Sequence, residues 1–458
     1  MRRERTTRAL LAGGIVLPVV LAVSGTGVGA GGAHSSERLL AAQPYLSPET
    51  IGDGARQVAR LKGDRIASRQ DRERKILAFV REGKPQEAFD EYERLTSVAG
   101  REDHTLLREV GIGFILPLRN DMRVQVRGAA YTALKEQNTP ETVPYLEDGL
   151  SDESGLVRAL VAEGLGKLEA GRRSARFRQA VKDQAALVRV AVLKGLGRSG
   201  DRAVIPLVER SLSDEQAIVR VAAAGALVAL GQAAHWSSLE KAASAHNRLE
   251  RRAALRMLGE LRDPRALPIL KGALRDPQPS TRRAAAAALG DLGLPEAVPA
   301  LIGILSEGVP GIRSVVAVSL GKIGSDESEA ALKKALRDPN PGVRAAAVSA
   351  LLYLGHPYKE VAGTVRGLVQ DQNPGVRSSA ARALSKGRGA EVVNALSLLL
   401  RDPVPRPRIA ATRALGRVGG REVIPLLKQA LRDSDSAVQA TAGGALARIL
   451  RWSSNSAT

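Results

Sequence analysis

Apolar and polar residues follow one another along most of this chain in a pattern that repeats about every 31 residues. In residues 341–354 the apolar side chains return at helical spacing, which predicts an amphipathic helix. Its apolar face consists of Val343, Ala347, Ala350, Leu351 and Leu354. A partner helix is predicted over residues 421–433, "REVIPLLKQALRD". The repeat therefore predicts units of two helices each.

A single aspartate marks the register of this repeat. It recurs at intervals of 31 residues, apart from two double steps of 62 and one step of 33. Its positions are Asp121, Asp152, Asp183, Asp214, Asp276, Asp338, Asp371, Asp402 and Asp433. Positions 245 and 307 fill the two double steps and hold Ala and Glu.

An arginine follows this register position after six residues in ten of eleven units. These residues are Arg127, Arg158, Arg189, Arg220, Arg251, Arg282, Arg313, Arg344, Arg377 and Arg408. A catalytic pair would occur once, so a pair present ten times predicts a structural role. The eleventh position is Gln439, which we attribute to a terminal unit that has no further neighbour.

Glycine and proline punctuate the two helices of a unit. Glycine ends the second helix at Gly200, Gly231, Gly293, Gly324, Gly355 and Gly419. Proline stands in the first turn of the other helix at Pro144, Pro206, Pro268, Pro299 and Pro425. The pattern departs from this regularity at residues 231–252, around Trp236, and at the inserted "HPYK" of residues 356–359.

These motifs resemble HEAT repeats, and most closely the short HEAT-like repeats of phycobilin lyases. The resemblance rests on the Asp–Arg spacing, on "AVPAL" (297–301) and on "AALGDLG" (287–293). It implies an all-α, right-handed α-solenoid of about eleven 31-residue helix pairs over residues 104–458, with an N-terminal helical cap. It also implies that the aspartates and arginines form a ladder of hydrogen-bonded ion pairs between adjacent units.

The composition excludes several classes of chemistry. The chain has no Cys, so disulfides, thiolate catalysis and Cys-ligated metals are excluded. Its five His residues are scattered, and no two are four residues apart, so we expect no metal site and no cofactor. Aromatic residues make up 3% of the chain, which predicts a core of Ala, Leu and Val.

The N-terminal residues 1–33 have the order of a signal peptide: basic "MRRERTTR", an apolar stretch, then small residues ending in Ala. Cleavage is expected after Ala30 or Ala33. An uncleaved anchor over residues 9–33 is the alternative, because that stretch carries no charge. Both interpretations predict an exported, periplasmic or extracytoplasmic protein, either free or held at the inner membrane.

Residues 34–103 lie outside the repeat register. Residues 71–100 predict two amphipathic helices, broken at "EGKP" (82–85). The segment "GKPQEAFDEYERL" weakly resembles a tetratricopeptide helix, and a cap over the first unit of the array explains it equally well.

The net charge of +20 is concentrated in the array, which carries sixteen excess positive charges over residues 121–458. In HEAT-like solenoids the second helix lines the concave side, so we expect its polar face to form a basic groove in the C-terminal third. The candidate partner-binding residues are Lys194, Arg198, Lys322, Arg382, Lys386, Arg413, Arg417 and Arg448. Among these, Arg382, Lys386, Arg413 and Arg417 are expected to be exposed.

The leading interpretation is a non-enzymatic interaction scaffold, expected to be monomeric, that binds an acidic protein surface in this groove. Nucleic acid is disfavoured by the export signal and by the scarcity of aromatic residues for base stacking. One alternative is a bilin-lyase-like enzyme or accessory factor, which the resemblance allows. Another is a membrane-anchored sensor or assembly factor.

Overall fold

The computed structural model describes residues 68–453 of the chain, with side chains up to Leu450. This part contains α-helices and short 3₁₀ turns, and no strand. The helices are α1 (68–81), α2 (Pro85–Ala99), α3 (His104–Gly113), α4 (Val124–Gln137), α5 (Val143–Asp148), α6 (Gly155–Leu165), α7 (Glu169–Arg173), α8 (Ala175–Gln179), α9 (Ala186–Gly197), α10 (Ile205–Glu209), α11 (Ala217–Ala229), α12 (Trp236–Ala243), α13 (Arg248–Leu261), α14 (Ala266–Ala273), α15 (Pro279–Leu292), α16 (Val298–Gly303), α17 (Pro310–Ile323), α18 (Asp326–Ala335), α19 (Pro341–Tyr353), α20 (Tyr358–Val369), α21 (Pro374–Leu384), α22 (Ala390–Leu399), α23 (Pro405–Val418), α24 (Ile424–Ala430) and α25 (Ser436–Ser453).

From α3 onward the helices form eleven units, and unit 1 is α3 with α4. We call the second helix of each unit its inner helix. The inner helices are α4, α6, α9, α11, α13, α15, α17, α19, α21, α23 and α25, and each packs against the next. The other helices cover one side of this row. The predicted α-solenoid of about eleven helix pairs is thereby confirmed.

Local sequence explains where these helices begin and end. Pro341 occupies the first turn of α19, where its missing N–H removes no intrahelical hydrogen bond. Gly355 follows the helix with φ of 92°, in the left-handed region that favours glycine. Pro425 likewise lies in the first turn of α24, after a 3₁₀ turn over Arg421–Val423.

The core is a continuous layer of Val, Leu and Ala side chains between the inner and outer helices. Small residues let neighbouring inner helices approach closely. A Cβ added to Gly259 would lie 2.6 Å from the Cα of Ala288 in the next inner helix. Such a contact is too short for any larger residue, so close packing of the backbones depends on glycine at this position.

The array closes on itself. The last inner helix, α25, packs against α23 and also against α3 and α4 of unit 1. A Cβ added to Gly111 of α3 would lie 2.9 Å from the carbonyl oxygen of Gly443 in α25. The interpretation of Gln439 as belonging to a unit without a next neighbour is therefore wrong, because unit 1 covers unit 11.

The helices α1 and α2 lie on either side of a break at Glu82–Lys84. Phe89 and Tyr92 of α2 are fully buried, and Phe89 lies edge-on against Phe114, with ring centroids 6.3 Å apart. The α2 helix also reaches unit 11, where Gln86 donates a hydrogen bond to the carbonyl oxygen of Leu431. These helices therefore contact both ends of the array.

Candidate partner-binding surface of the inner helices

The repeated Asp and Arg side chains form a ladder between successive units. Arg158 donates two hydrogen bonds to the carboxylate of Asp183, from Nε at 2.8 Å and from Nη2 at 2.9 Å. Its Nη1 donates to the carbonyl oxygens of Asp152 and Glu153 in its own unit. Each guanidinium thus joins the turn of its own unit to the carboxylate of the next. Equivalent ion pairs are Arg127–Asp152, Arg189–Asp214, Arg251–Asp276, Arg282–Glu307, Arg313–Asp338, Arg377–Asp402 and Arg408–Asp433.

The register aspartate also closes the turn before the inner helix that follows it. The carboxylate of Asp183 accepts the backbone N–H of Ala185 at 2.7 Å, just before α9 begins. Desolvation by burial would raise the pKa of Asp183, but hydrogen bonds from Arg158 and from this N–H lower it below its ordinary value. One side chain therefore fixes the start of a helix and the contact between two units.

We call each Arg–carboxylate ion pair between successive units a rung. Among the described residues, two of the ten rungs expected from unit 1 to unit 11 are missing. Arg220 keeps its hydrogen bond to the carbonyl oxygen of Asp214, but its partner position holds Ala245. Arg344 donates a hydrogen bond to the carbonyl oxygen of Asp338 but makes no ion pair with Asp371. The unit of Arg344 is two residues longer than the others, and the extra residues lie between Arg344 and Asp371.

The ladder also changes where unit 11 meets unit 1. Gln439 donates a hydrogen bond to the carbonyl oxygen of Asp433 at 2.6 Å. It thus makes the bond to its own unit that the arginines make, but not the bond to the next carboxylate. The carboxylate of Asp121 is instead bound by Arg123, whose hydrogen bonds lower the pKa of Asp121 to about 2. Other ion pairs join unit 11 to α2 and to the loop that follows it. Arg432 binds Asp90 and Glu93, while Lys428 binds Glu93 and Glu102.

We call the contact between units 11 and 1 the seam. On the side of the inner helices, Glu136 of α4 links the seam to the basic residues of α23. Its carboxylate accepts hydrogen bonds from Arg413 at 3.2 Å and from Arg417 at 2.8 Å. Arg413 is half-buried, which differs from the exposure expected from the sequence. The expectation failed because closure of the array brings an acidic residue of unit 1 beside unit 10.

The eight candidate binding residues divide into two groups. Four have carboxylate partners: Lys194 with Glu260, Lys322 with Asp291, and Arg413 and Arg417 with Glu136. The other four have no carboxylate partner among the described residues: Arg198, Arg382, Lys386 and Arg448. Lys386 lies over the ring of Tyr353, 5.4 Å from its centroid.

Positive charge is crowded on the inner helices of units 9 to 11. Desolvation and the nearby charges of Arg406 and Arg413 lower the pKa of Arg382. Desolvation likewise lowers the pKa of Arg448, where Glu136 opposes the shift and Arg417 adds to it. We call Arg382, Lys386, Arg406, Arg413, Arg417 and Arg448 the cationic patch.

Sequence reasoning missed Arg406, which stands in the first turn of α23. Its position is four residues after Asp402, whereas the candidate residues all stand eleven or fifteen residues after their register position. It also missed Glu136, although this residue occupies the same register position as Arg417 and Arg448. A survey of all acidic residues on that face would have found it.

The two irregular units have well-defined contacts of their own. Trp236 is buried, donates a hydrogen bond to Glu240 and lies 4.2 Å from the guanidinium of Arg265. His356 of the insertion lies between Glu329 and Glu360, with ring nitrogens 3.0 and 2.9 Å from their carboxylates. An open cavity of about 500 Å³ beside this histidine is lined by Tyr353, Tyr358, Lys386 and Arg388, among others.

Two predictions concern the N-terminus and metal binding. The signal peptide or anchor of residues 1–33 lies outside the described residues. None of the helices described combines the length and apolar character needed to cross a bilayer. Within residues 68–450, no three acidic or histidine side chains are grouped as metal ligands would be.

Comparisons with known proteins agree with this architecture. The family model for HEAT repeats matches in overlapping segments over residues 114–457. A comparison with curated proteins finds no relative of the chain.

Three similar solved structures have low identity and low TM-scores. Human deoxyhypusine hydroxylase in complex with glycerol is 22% identical, with a TM-score of 0.30, over 56% of this chain and 97% of that one. An engineered protein is 18% identical, with a TM-score of 0.29, over 74% and 98%. The complex of CpcE and CpcF of phycocyanin lyase from Nostoc is 19% identical, with a TM-score of 0.34, over 57% and 92%. Since the family model covers most of its length, the chain belongs to the HEAT repeat family.

Proposed function

We propose that this protein is a non-enzymatic interaction scaffold that binds an acidic segment of a partner protein on the cationic patch. The HEAT solenoid is the basis of the proposal, because such arrays offer extended surfaces for protein partners. The basic and apolar N-terminal sequence supports a function outside the cytoplasm.

The observation that carries the proposal is the crowding of Arg382 with Arg406 and Arg413. Desolvation disfavours the charged form of Arg382, and the nearby positive charges of Arg406 and Arg413 repel it, so all three effects lower its pKa. Glu136 offsets part of that charge at Arg413 and Arg417. Arg382 donates to the hydroxyl of Ser379 but has no carboxylate beside it among the described residues. A bound carboxylate would relieve this repulsion, and bidentate hydrogen bonds to arginine would strengthen its binding.

Variants that test this binding must spare Glu136. Reversing the charge of Arg413 or Arg417 would set two carboxylates against each other at the seam and confuse binding with folding. The informative variant is therefore Arg382→Gln, Lys386→Gln and Arg406→Gln, all at exposed positions. A matched control removes three exposed positive charges elsewhere, with Lys241→Gln, Arg337→Gln and Arg366→Gln.

The probe is a short, fluorescently labelled, glutamate-rich peptide, measured by fluorescence anisotropy at about 0.15 M salt. The proposal expects the peptide to bind the full chain, the patch variant to bind at least about tenfold more weakly, and the control variant to bind normally. Equal loss in both variants would reveal attraction by net charge alone. Tighter binding of single-stranded DNA of the same charge would indicate a nucleic-acid-binding protein and contradict the proposal.

A further inference from the structure

A second surface feature is carried by the position four residues after the register aspartate. This position lies at the first turn of each inner helix. Its residues in units 1 to 11 are Gln125, Leu156, Leu187, Ile218, Leu249, Ser280, Gly311, Gly342, Gly375, Arg406 and Ala437. Large aliphatic residues thus occupy it in units 2 to 5, and small or polar residues occupy it in units 6 to 11.

The three leucines are exposed. The exposed fractions are 68% for Leu156, 51% for Leu187 and 58% for Leu249, while Ile218 is half-buried. Seven units fold with Gln, Ser, Gly, Arg or Ala at this position, so the fold does not require an apolar side chain here. Apolar residues that are exposed in one register over consecutive units indicate a surface that is covered in the functional state.

These side chains form one strip. The turns of units 2 and 3 are in contact, since a Cβ added to Gly155 would lie 2.9 Å from the Cβ of Ala185. Arg189 of unit 3 in turn reaches Asp214 and Glu215 in the turn of unit 4. Packed helices lie about 8–10 Å apart, so four successive units extend over about 30 Å. We call Leu156, Leu187, Ile218 and Leu249 the leucine strip.

Charged residues beside the strip differ between its two ends. Glu153 is exposed beside Leu156 in unit 2, and Arg248 is exposed beside Leu249 in unit 5. In the middle, Lys182 of unit 3 and Glu215 of unit 4 are exposed, with Glu215 lying 3.8 Å from Arg189. The order of charge along the strip is therefore negative, positive, negative, positive.

This order is complementary to itself when reversed. A two-fold axis between units 3 and 4 would set unit 2 opposite unit 5, and unit 3 opposite unit 4. Glu153 would then face Arg248 of a second copy, and Lys182 would face Glu215 of that copy. Apolar residues would meet apolar residues along the whole strip. Such a self-complementary patch is the defining property of an isologous interface.

We propose that the leucine strip is the interface of an antiparallel homodimer, which departs from the monomer expected from the sequence. Its apolar contacts come from the three exposed leucines, and the flanking charges form the polar rim typical of protein interfaces. The partner is a second copy because the reversed charge order matches this chain's own sequence. This dimer leaves the cationic patch to a different partner, so the two proposals stand independently.

Sedimentation velocity of the full chain tests the proposal over a range of concentrations. The test variant is Leu156→Ser, Leu187→Ser and Leu249→Ser, because Ser280 shows that serine is accepted at this position. The control is Val98→Ser with Leu398→Ser, two exposed apolar residues outside the strip. We expect the wild type and control to dimerise, and the leucine variant to have a dissociation constant at least about 100-fold higher.

A charge exchange tests the antiparallel arrangement directly. Glu153→Arg and Arg248→Glu should each weaken the dimer about five- to tenfold, and the double variant should recover most of that loss. Circular dichroism confirms that each variant is folded.

Three results would overturn the proposal. One is a wild-type protein that remains monomeric at all concentrations. A monomer that uses its leucines to bind lipid vesicles would be such a result. Another is a dimer that is indifferent to the three serines. The third is a double charge variant that shows no recovery.

Discussion

Gly111 in the first unit lies directly against Gly443 in the last, and the backbones of α3 and α25 meet at these two residues. Each glycine lacks the side chain that would separate the two helices. The contact converts an array that could have had two free ends into one whose eleven units all have neighbours.

Gly443→Ala should therefore destabilise the protein. Its added Cβ would collide with the carbonyl group of Gly111, and overpacking of this kind costs about 1–3 kcal/mol. The free energy of unfolding, measured by urea denaturation, should fall accordingly. Gly367→Ala is the matched control, because it lies within α20 with open space around it and should be neutral or slightly stabilising. Equal effects of both substitutions would argue against a close contact at the seam.

Glu136→Gln should weaken the same seam through electrostatics. The change removes the negative charge that binds Arg413 and Arg417 and leaves their positive charges near Arg448. We expect a loss of about 1–2 kcal/mol in the free energy of unfolding, reduced at high salt as repulsion is screened. Glu209→Gln, at an exposed position outside the seam, serves as control. A loss that does not respond to salt would contradict this explanation.

Ala245→Asp should restore the missing rung between units 4 and 5. Arg220 already donates to the carbonyl oxygens of Asp214 and Glu215, so its guanidinium is oriented as in complete rungs. We expect about 1 kcal/mol of added stability, measured by urea denaturation. Ala245→Asn should give less, because it supplies a hydrogen-bond acceptor without the charge. The gain should vanish in an Arg220→Gln background, and a gain that persists there would show that the rung does not form.

Acid should destabilise the array through its ladder. The pKa values of Asp152, Asp183, Asp214, Asp338 and Asp402 lie below their ordinary value of 3.8. A depressed folded-state pKa contributes stability that is fully present above 3.8 and is lost as pH falls below it. Urea midpoints should hold between neutral pH and about pH 5, then drop steeply. In Asp183→Asn the neutral-pH midpoint should be lower and the acid dependence shallower. A parallel acid dependence in this variant would assign the pH effect to other carboxylates.

The sequence was sufficient to predict the units and their helices. Pro341 and Gly355 bound α19 through local backbone preferences, which need no knowledge of distant residues. Closure of the array was not predictable in the same way. It depends on Glu136 and Arg413, which are 277 residues apart, and on the summed rotation of eleven units. Small errors in the rotation of each unit accumulate, so local patterns cannot tell an open solenoid from a closed one.

The candidate surfaces show the same limit. The basic residues of the inner helices could be named from their register, but the carboxylates that bind Lys194, Lys322 and Arg413 could not. Leu156 and Leu187 were visible in the sequence as apolar residues near a helix start. Whether such residues are buried depends on the packing between units, and the structure leaves them exposed.

The two missing rungs acquire a particular importance in a closed array. An open repeat protein frays from its ends, because a terminal unit has one interface to lose and an interior unit has two. Here the seam covers both ends, so a joint between two units must open before any unit can be lost. The joints at Arg220 and Arg344 lack the carboxylate bond that the neighbouring joints have. Heat or mechanical force should therefore split the array there into arcs of several units, whereas an open array would lose its units one at a time.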